Sequence, residues 1–432
     1  EAAHWWNARY GATHSALFCG EIEKHASLIA SSAYPSCASR LFDLKTILDF
    51  SNPHQPESAR LRHEFGKPLQ HWAAHSAAEV PALLNAVQQA AEQGLWCVGW
   101  LAYEAATAFD PAYAGAVHAA QPGQPLAWFG AHQPPLALAA CASENQSTPR
   151  DVRWQSPLTR EQFNTSVARI HEAIAAGDCY QINYTTALQA AANGAGSESA
   201  QAWFARLQSA QPGGYAALID SADMQVMSVS PELFFDWDGS QILTRPMKGT
   251  AARGATPEAD AQAAQNLRSS AKERAENVMI VDLLRNDLSR IAVPHSVKVP
   301  QLFQLQALPA VWQMTSDVVA QTRAGLRLVD VFAALFPCGS ITGAPKRQAM
   351  RLIHALEPGP RGVYCGALGV VRPGLVPGRI HATFNVPIRT VVQHDGQLRC
   401  GIGSGITASA QADGEWEEWQ HKQVFAKSLS LR

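Results

Sequence analysis

The chain has 432 residues, 47% of them hydrophobic and 16% charged, which is enough apolar material for one large or two ordinary cores. A formal net charge of −2 gives no electrostatic pull toward nucleic acid or an anionic membrane. No apolar run reaches the roughly 20 residues that span a bilayer, and the opening residues lack the basic and apolar blocks of a secretory signal. Eight cysteines lie scattered without a C-x-x-C pair, which argues against structural zinc or a disulfide framework and for a reducing cytoplasm. Cys179, Cys338 and Cys365 read as small buried hydrophobes.

Residues 27–50 show mixed periodicity and suggest short strands with turns. Val80, Leu83, Leu84 and Val87 recur at helical spacing and predict a helix over 79–93. Residues 96–104 read as a buried strand running into a helix start. Residues 111–157 are rich in Pro, Ala and Gly, and the polar, Pro-terminated stretch 141–150 is the best linker candidate. It divides an N-terminal region, 1–150, from a domain over 151–432. Thr159 and Gln162 precede Phe163, Val167, Ile170 and Ile174, a pattern that predicts a capped amphipathic helix closing near Gly177. Residues 178–186 are β-prone, and 214–236 alternate as strands. Glu232 follows Pro231 where a strand should end, a place where a lone glutamate is ordinarily a solvated turn residue.

In the stretch 244–250, Lys248 lies between Pro246 and Gly249. Proline fixes φ and glycine permits unusual φ, so a rigid tight loop after a strand is expected, with the amine at a defined point. Residues 272–287 are rich in helix formers. The run from Val278 to Leu284 is apolar almost all round and predicts a buried helix. Asp282 inside it needs a partner, which Arg285 can supply. Glu273 and Glu276 share a face. Alone, this reads as a core helix with a solvated acidic first turn.

Residues 337–347 open a helix that Thr342 or Gly343 can cap and Pro345 can begin. A phosphate-loop reading fails, because Ala344 and Pro345 stand where Gly and Lys are required. A helix N-terminus able to receive a carboxylate remains. Residues 364–371 are strand-like, and 381–390 read as another strand, restricted by Pro387. Gly401, Gly403 and Gly405 alternate along a strand, which lets a ligand approach its N–H groups. The last helix starts near Asp413, with Glu415, Glu418 and Lys422 on one face and Trp416 and Trp419 to the side. Alone, that face is a solvated Glu/Lys stripe. Pattern reading by itself reaches only mixed α and β.

Pro246-Met-Lys-Gly-Thr250, Glu273-Arg-Ala-Glu-Asn277, Asp282-Leu-Leu-Arg-Asn-Asp287 and Ser230-Pro-Glu-Leu-Phe-Phe235 together resemble the chorismate-utilising enzymes. The resemblance runs from the linker almost to the end. It implies an α+β fold of two large, mostly antiparallel sheets packed as a sandwich with helices outside, to which the N-terminal region adds strands. It implies Mg²⁺ held by Glu276 and Glu418, with Glu273 and Glu415 on metal-bound water. Arg389, Tyr364, Lys422, Gly403 and Gly405 would hold a substrate carboxylate, with Thr342, Gly343 and Gln181 also lining the site. Glu232 would be the general acid for the C4 hydroxyl of chorismate, its pKa raised by burial near other carboxylates. Lys248 would attack ring C2 before ammonia enters at C4, as in the p-aminobenzoate branch of the family. The anthranilate-forming branch, the near rival, usually has Ala there. Gln181 stands where water-adding members carry Lys, and Gln313 where many relatives carry His. No glutaminase triad is apparent, so ammonia is expected from a glutamine amidotransferase partner. Residues 28–45 resemble a stretch that can hold tryptophan, although Ala30-Ser31-Ser32 departs from the feedback-regulated pattern. A non-catalytic tryptophan-binding subunit is the rival from another class.

Overall fold

The computed structural model describes residues 45–55, 60–135, 152–192, 199–308 and 311–429, and every count below is of these residues. Almost all of the 28–45 stretch, and the whole of 141–150, lie outside them. In chain order come β1 (Thr46–Ser51), β2 (Arg60–Phe65), β3 (Gln70–Ala74), α1 (Val80–Glu92), β4 (Trp96–Leu101) and β5 (Ala127–His132). Then follow α2 (Arg160–Ala175), β6 (Gln181–Ala191), α3 (Ala200–Ala210), β7 (Tyr215–Asp220), β8 (Met224–Ser230), β9 (Leu233–Trp237), β10 (Gln241–Arg245) and β11 (Met247–Ala252). Next are α4 (Pro257–Ser269), α5 (Ala271–Ser289), β12 (Lys298–Ala307), β13 (Val311–Gln321), α6 (Leu328–Leu335), β14 (Gly343–Ala344) and α7 (Lys346–Leu356). The chain closes with β15 (Ala367–Pro373), β16 (Ile380–Asn385), β17 (Thr390–His394), β18 (Gln397–Thr407) and α8 (Ala412–Lys427).

The strands form two antiparallel sheets. One has the order β14-β6-β18-β17-β8-β7-β1-β2, the other β11-β13-β10-β9-β16-β15-β4-β5-β3, with β12 also on β13. β1 pairs with β7 and β4 with β15, so chain from both sides of residue 150 enters both sheets. Alternation along the strands makes the layers. In β8, Met224 and Val226 join a core with Trp100 and Leu368 of the other sheet. Met227 and Val229 point the other way, toward Phe163, Phe204, Ile353 and Trp419 on α2, α3, α7 and α8. In β4, Val98 and Trp100 face the shared core, while Cys97 and Leu101 meet Leu84, Leu284 and Phe332 on α1, α5 and α6. The expected sandwich with outer helices is therefore present. Each side chain buried as fully as Phe235 contributes about 1.5–3 kcal/mol.

The capping box is formed: Thr159 Oγ1 accepts from Gln162 N at 3.2 Å and Gln162 Oε1 from Thr159 N at 2.9 Å. Cys179, Cys338 and Cys365 are buried free thiols. Among the described residues no helix is long and apolar enough to cross a membrane.

Four expectations need correction. Within 111–157, residues 127–132 form β5, wholly buried between β3 and β4; its small residues hide the strand signal. Residues 381–390 are two strands in different sheets, because the chain crosses from β16 to β17 through Val386–Arg389, with Arg389 at φ +51°. Helix α5 is buried on one stripe only, since it lies outside its sheet; Val278 is 43% exposed. Asp282 does pair with Arg285, at 2.6 Å, but in solvent. Finally, Thr342 and Gly343 do not cap α7, which begins after Pro345. Thr342 Oγ1 donates to Cys338 O at 3.1 Å. Gly343, at φ +143°, pairs with Ile182, and a Cβ there would lie 2.1 Å from Gln181 O. The glycine serves strand pairing.

Candidate active site

Lys248 lies on an edge strand and not in the rigid tight loop expected after one. The register of β11 on β13 passes from Met247–Thr315 to Thr250–Gln313, so Lys248 and Gly249 together oppose Met314. This is a β-bulge, with Gly249 at φ +97°. Asn277 Nδ2 of α5 donates to Lys248 O at 3.4 Å and is itself fixed by Ser316 Oγ, which donates to Asn277 Oδ1 at 2.6 Å. The defined placement expected of the Pro-Met-Lys-Gly stretch thus comes from a bulge braced by a helix. The amine overhangs β18: a Cβ on Gly405 would lie 3.2 Å from Lys248 Nζ and 2.4 Å from Gln181 Nε2. Among the described residues no hydrogen bond or ion pair clasps that amine. Gln181 is fully buried, and neither polar atom of its amide has a partner.

Glu232 occupies another crossing between the sheets, the one joining β8 to β9. This crossing and the one from β16 to β17 lie side by side, since Val386 N donates to Glu232 O at 3.1 Å and Ser230 Oγ to Val386 O at 2.5 Å. Glu232 is buried and its Oε1 has no partner. Burial pushes its carboxyl up to about 6, against the pull of Ser340, Lys248 and the Met247 N–H. The raised value was expected, but not its setting: the nearby charge is a lysine, and other carboxylates play no part.

Glu273 and Glu276 stand on α5 and Glu415 and Glu418 on α8, and the two pairs lie within electrostatic range of each other. Burial, opposed by Lys272, raises the Glu273 carboxyl, and Glu418 and Glu415 raise it further. Burial also raises Glu276, opposed by Lys248 and assisted by Glu273 and Glu418. Glu415 is raised by burial against its bond with Ser404, and its Oε2 is buried without a partner. Carboxylates that oppose one another's ionisation in this way fit a cation. Among the described residues no three His, Cys, Asp or Glu side chains are grouped to hold a metal ion unaided. Glu418 is paired with Lys422 at 2.6 Å, and Lys272 lies 4.0 Å from Glu276.

The glycine strand β18 pairs with β6 along its whole length but with β17 only as far as Cys400. Its other edge is thus free of a strand from Gly401 onward, and there Lys422 Nζ donates to Gly403 O at 2.6 Å. The glycines admit protein side chains first: the Tyr364 ring lies 2.2 Å from where a Gly401 Cβ would be, and Thr185 Cγ2 is 2.6 Å from that of Gly403. Burial raises the Tyr364 phenol and lowers the Arg389 guanidinium from their ordinary values. Arg389 is turned to Gln211, to which its Nη1 donates. A cleft of about 810 Å³ opens between α5 and the ends of β6 and β18, lined by Lys272, Glu276, Met279, Tyr180 and Thr407. A second cavity, about 250 Å³, lies at the Gly401 end against Tyr364, Thr185, Arg361 and Arg399. Gly405, beside which Lys248 Nζ and Gln181 Nε2 lie, falls between Gly401 of the smaller cavity and Thr407 of the cleft along β18. Sequence reasoning missed Asn277 as a brace and Ser340 beside Glu232.

Residues 54–427 match the family model for chorismate binding enzymes. The chain belongs to the chorismate binding enzyme family. This family member is 42% identical over 265 residues to aminodeoxychorismate synthase component 1 of Salmonella typhimurium, a match covering 61% of this chain and 56% of that one. It is 35% identical over 300 residues to an anthranilate synthase component 1 of Haloarcula marismortui, covering 68% and 60% respectively. The chain thus spans little more than half the length of the Salmonella relative. Its fold is that of anthranilate synthase component I from Streptococcus pneumoniae, with a TM-score of 0.69 at 22% identity over 93% of each chain.

Proposed function

We propose that this chorismate binding enzyme replaces the C4 hydroxyl of chorismate with an amino group, forming 4-amino-4-deoxychorismate from chorismate and ammonia. The carrying observation is the Lys248 amine, unclasped and overhanging Gly405 and Gln181, beside the acid Glu232. In this reading Nζ bonds to ring C2, the two ring double bonds each move one place, and the C4–O bond breaks. Glu232 gives its proton to the departing oxygen, which leaves as water. Ammonia then bonds to C4, the double bonds return, the Nζ–C2 bond breaks, and Glu232 takes up the proton released from nitrogen. A carboxyl with a value near 6 can do both.

A Mg²⁺ ion would be held by Glu276 and Glu418, with Glu273 and Glu415 on its water, and when bound supplies positive charge to a substrate carboxylate. The N–H groups on the open edge of β18, with Lys422 and Tyr364, suit the second carboxylate. Arg389 joins them on exchanging Gln211 for substrate. Ammonia would come from a glutamine amidotransferase chain, in the cytoplasm, for p-aminobenzoate synthesis. The second reading is anthranilate formation, favoured by the relatives that carry that name. Incubation with chorismate, Mg²⁺ and ammonium separates them. The expected product keeps its enolpyruvyl group and does not fluoresce, whereas anthranilate with released pyruvate would reject the proposal.

A further inference from the structure

We propose that Gln313 is a positioning residue that holds the Lys248 bulge in register and aims its amine; this rests on the reading of Lys248 as nucleophile. A bulge forfeits ladder hydrogen bonds where the extra residue intrudes. β11 lies at the edge of its sheet, so among the described residues only β13 pairs with it. Gln313, on β13, is 5% exposed and spends both ends of its amide on the bulge. Its Nε2 donates to Gly249 O at 3.0 Å, and its Oε1 accepts from Thr250 Oγ1 at 3.1 Å. A carboxamide has that donor and acceptor together, whereas a carboxylate has no donor. The opposing brace, from Asn277 to Lys248 O, is longer at 3.4 Å. If the extra residue were absorbed, the register would slip by one, and Lys248 would turn to the opposite face of its strand, away from Gly405 and Gln181.

Gln313→Glu keeps the shape and removes the donor, and Thr250→Val removes the other bond at an exposed position. With chorismate, Mg²⁺ and ammonium, Gln313→Glu should lower kcat by about 10²-fold, the penalty of a misplaced reacting group. Thr250→Val should lower it less, and KM for chorismate should stay within about twofold in both. A merely structural role would lower thermal stability and leave the kcat of folded protein unchanged. The rate at which limiting acetic anhydride acetylates Lys248, read by peptide mass spectrometry, should also change in both variants. Should Gln313→Glu not fold, Thr250→Val carries the same test. Wild-type kcat and wild-type acetylation would overturn the proposal. Wild-type turnover by Lys248→Ala would instead reject the nucleophile reading, and the acetylation rate alone would then decide whether Gln313 aims Lys248.

Discussion

Two lysines frame the site, and they are held in opposite ways. Lys422 is clasped at its amine, by Glu418 at 2.6 Å and by Gly403 O at 2.6 Å, while the helix beneath it is anchored by aromatic packing. Trp419 meets Phe163 edge to face, with ring centroids 4.8 Å apart, and donates Nε1 to Ser404 Oγ at 3.0 Å. Lys248 is fastened through its backbone, by a bulge and Asn277, and its amine is left unclasped. The first arrangement suits gripping an anion. The second suits a group that must form and break a bond, because a nucleophilic amine gains from fixed placement and loses from a tight ion pair.

Removing each amine breaks this contrast most sharply. Lys248→Ala should cost on the order of 10²-fold or more in kcat, the loss of a placed nucleophile, with KM little changed. Lys248→Arg should not restore the rate, because guanidinium keeps its proton. Steady-state kinetics with ammonium measures both. Glu232→Gln should lower the rate by about 10²–10⁴-fold, the usual contribution of a general acid. The sign of its pH dependence follows from burial, which holds the Glu232 carboxyl up at about 6. The acid form is populated below that value and lost above it, so kcat/KM in the wild type should fall as pH rises through about 6, and the Gln variant should lack this limb.

Lys422→Ala should act on binding: KM for chorismate should rise by about tenfold or more, the loss of a charged hydrogen bond, with kcat largely kept. A fall in kcat with unchanged KM would remove the distinction between the two lysines. The smallest effect belongs to Trp419→Phe, which keeps the ring packing and removes the bond to Ser404. It should cost about 1 kcal/mol and lower the thermal midpoint by a few degrees.

How much of this was legible in the sequence depends on the range of the contact that decides it. The paired glutamates of α5 and α8, the Thr159 cap and the glycine alternation of β18 follow from spacing within one element, and local patterns carry them. The partner of Asp282 was readable at three residues' distance, but its exposure was not, because burial depends on which stripe of α5 meets the sheet. The bulge around Lys248 is defined by register against β13, some sixty positions on, which no local pattern records. The same holds for the crossings at Glu232 and Arg389. Pro231 and Pro387 mark a restricted backbone, yet only the pairing of β8, β9, β16 and β17 shows that each carries the chain between sheets. Thr342 and Gly343 looked like a cap because Pro345 follows them; the pairing of Gly343 with Ile182 and the bond from Asn183 N to Thr342 O are again long-range contacts.

The covalent role proposed for Lys248 is tested most directly by quenching the enzyme after exposure to chorismate and Mg²⁺ without ammonia, then weighing its peptides. The account predicts added mass, equal to chorismate less water, on the peptide that holds Lys248, and its disappearance when ammonium is supplied. Added mass on the Lys422 peptide, or none on any peptide of an enzyme that turns over with ammonium, would contradict it.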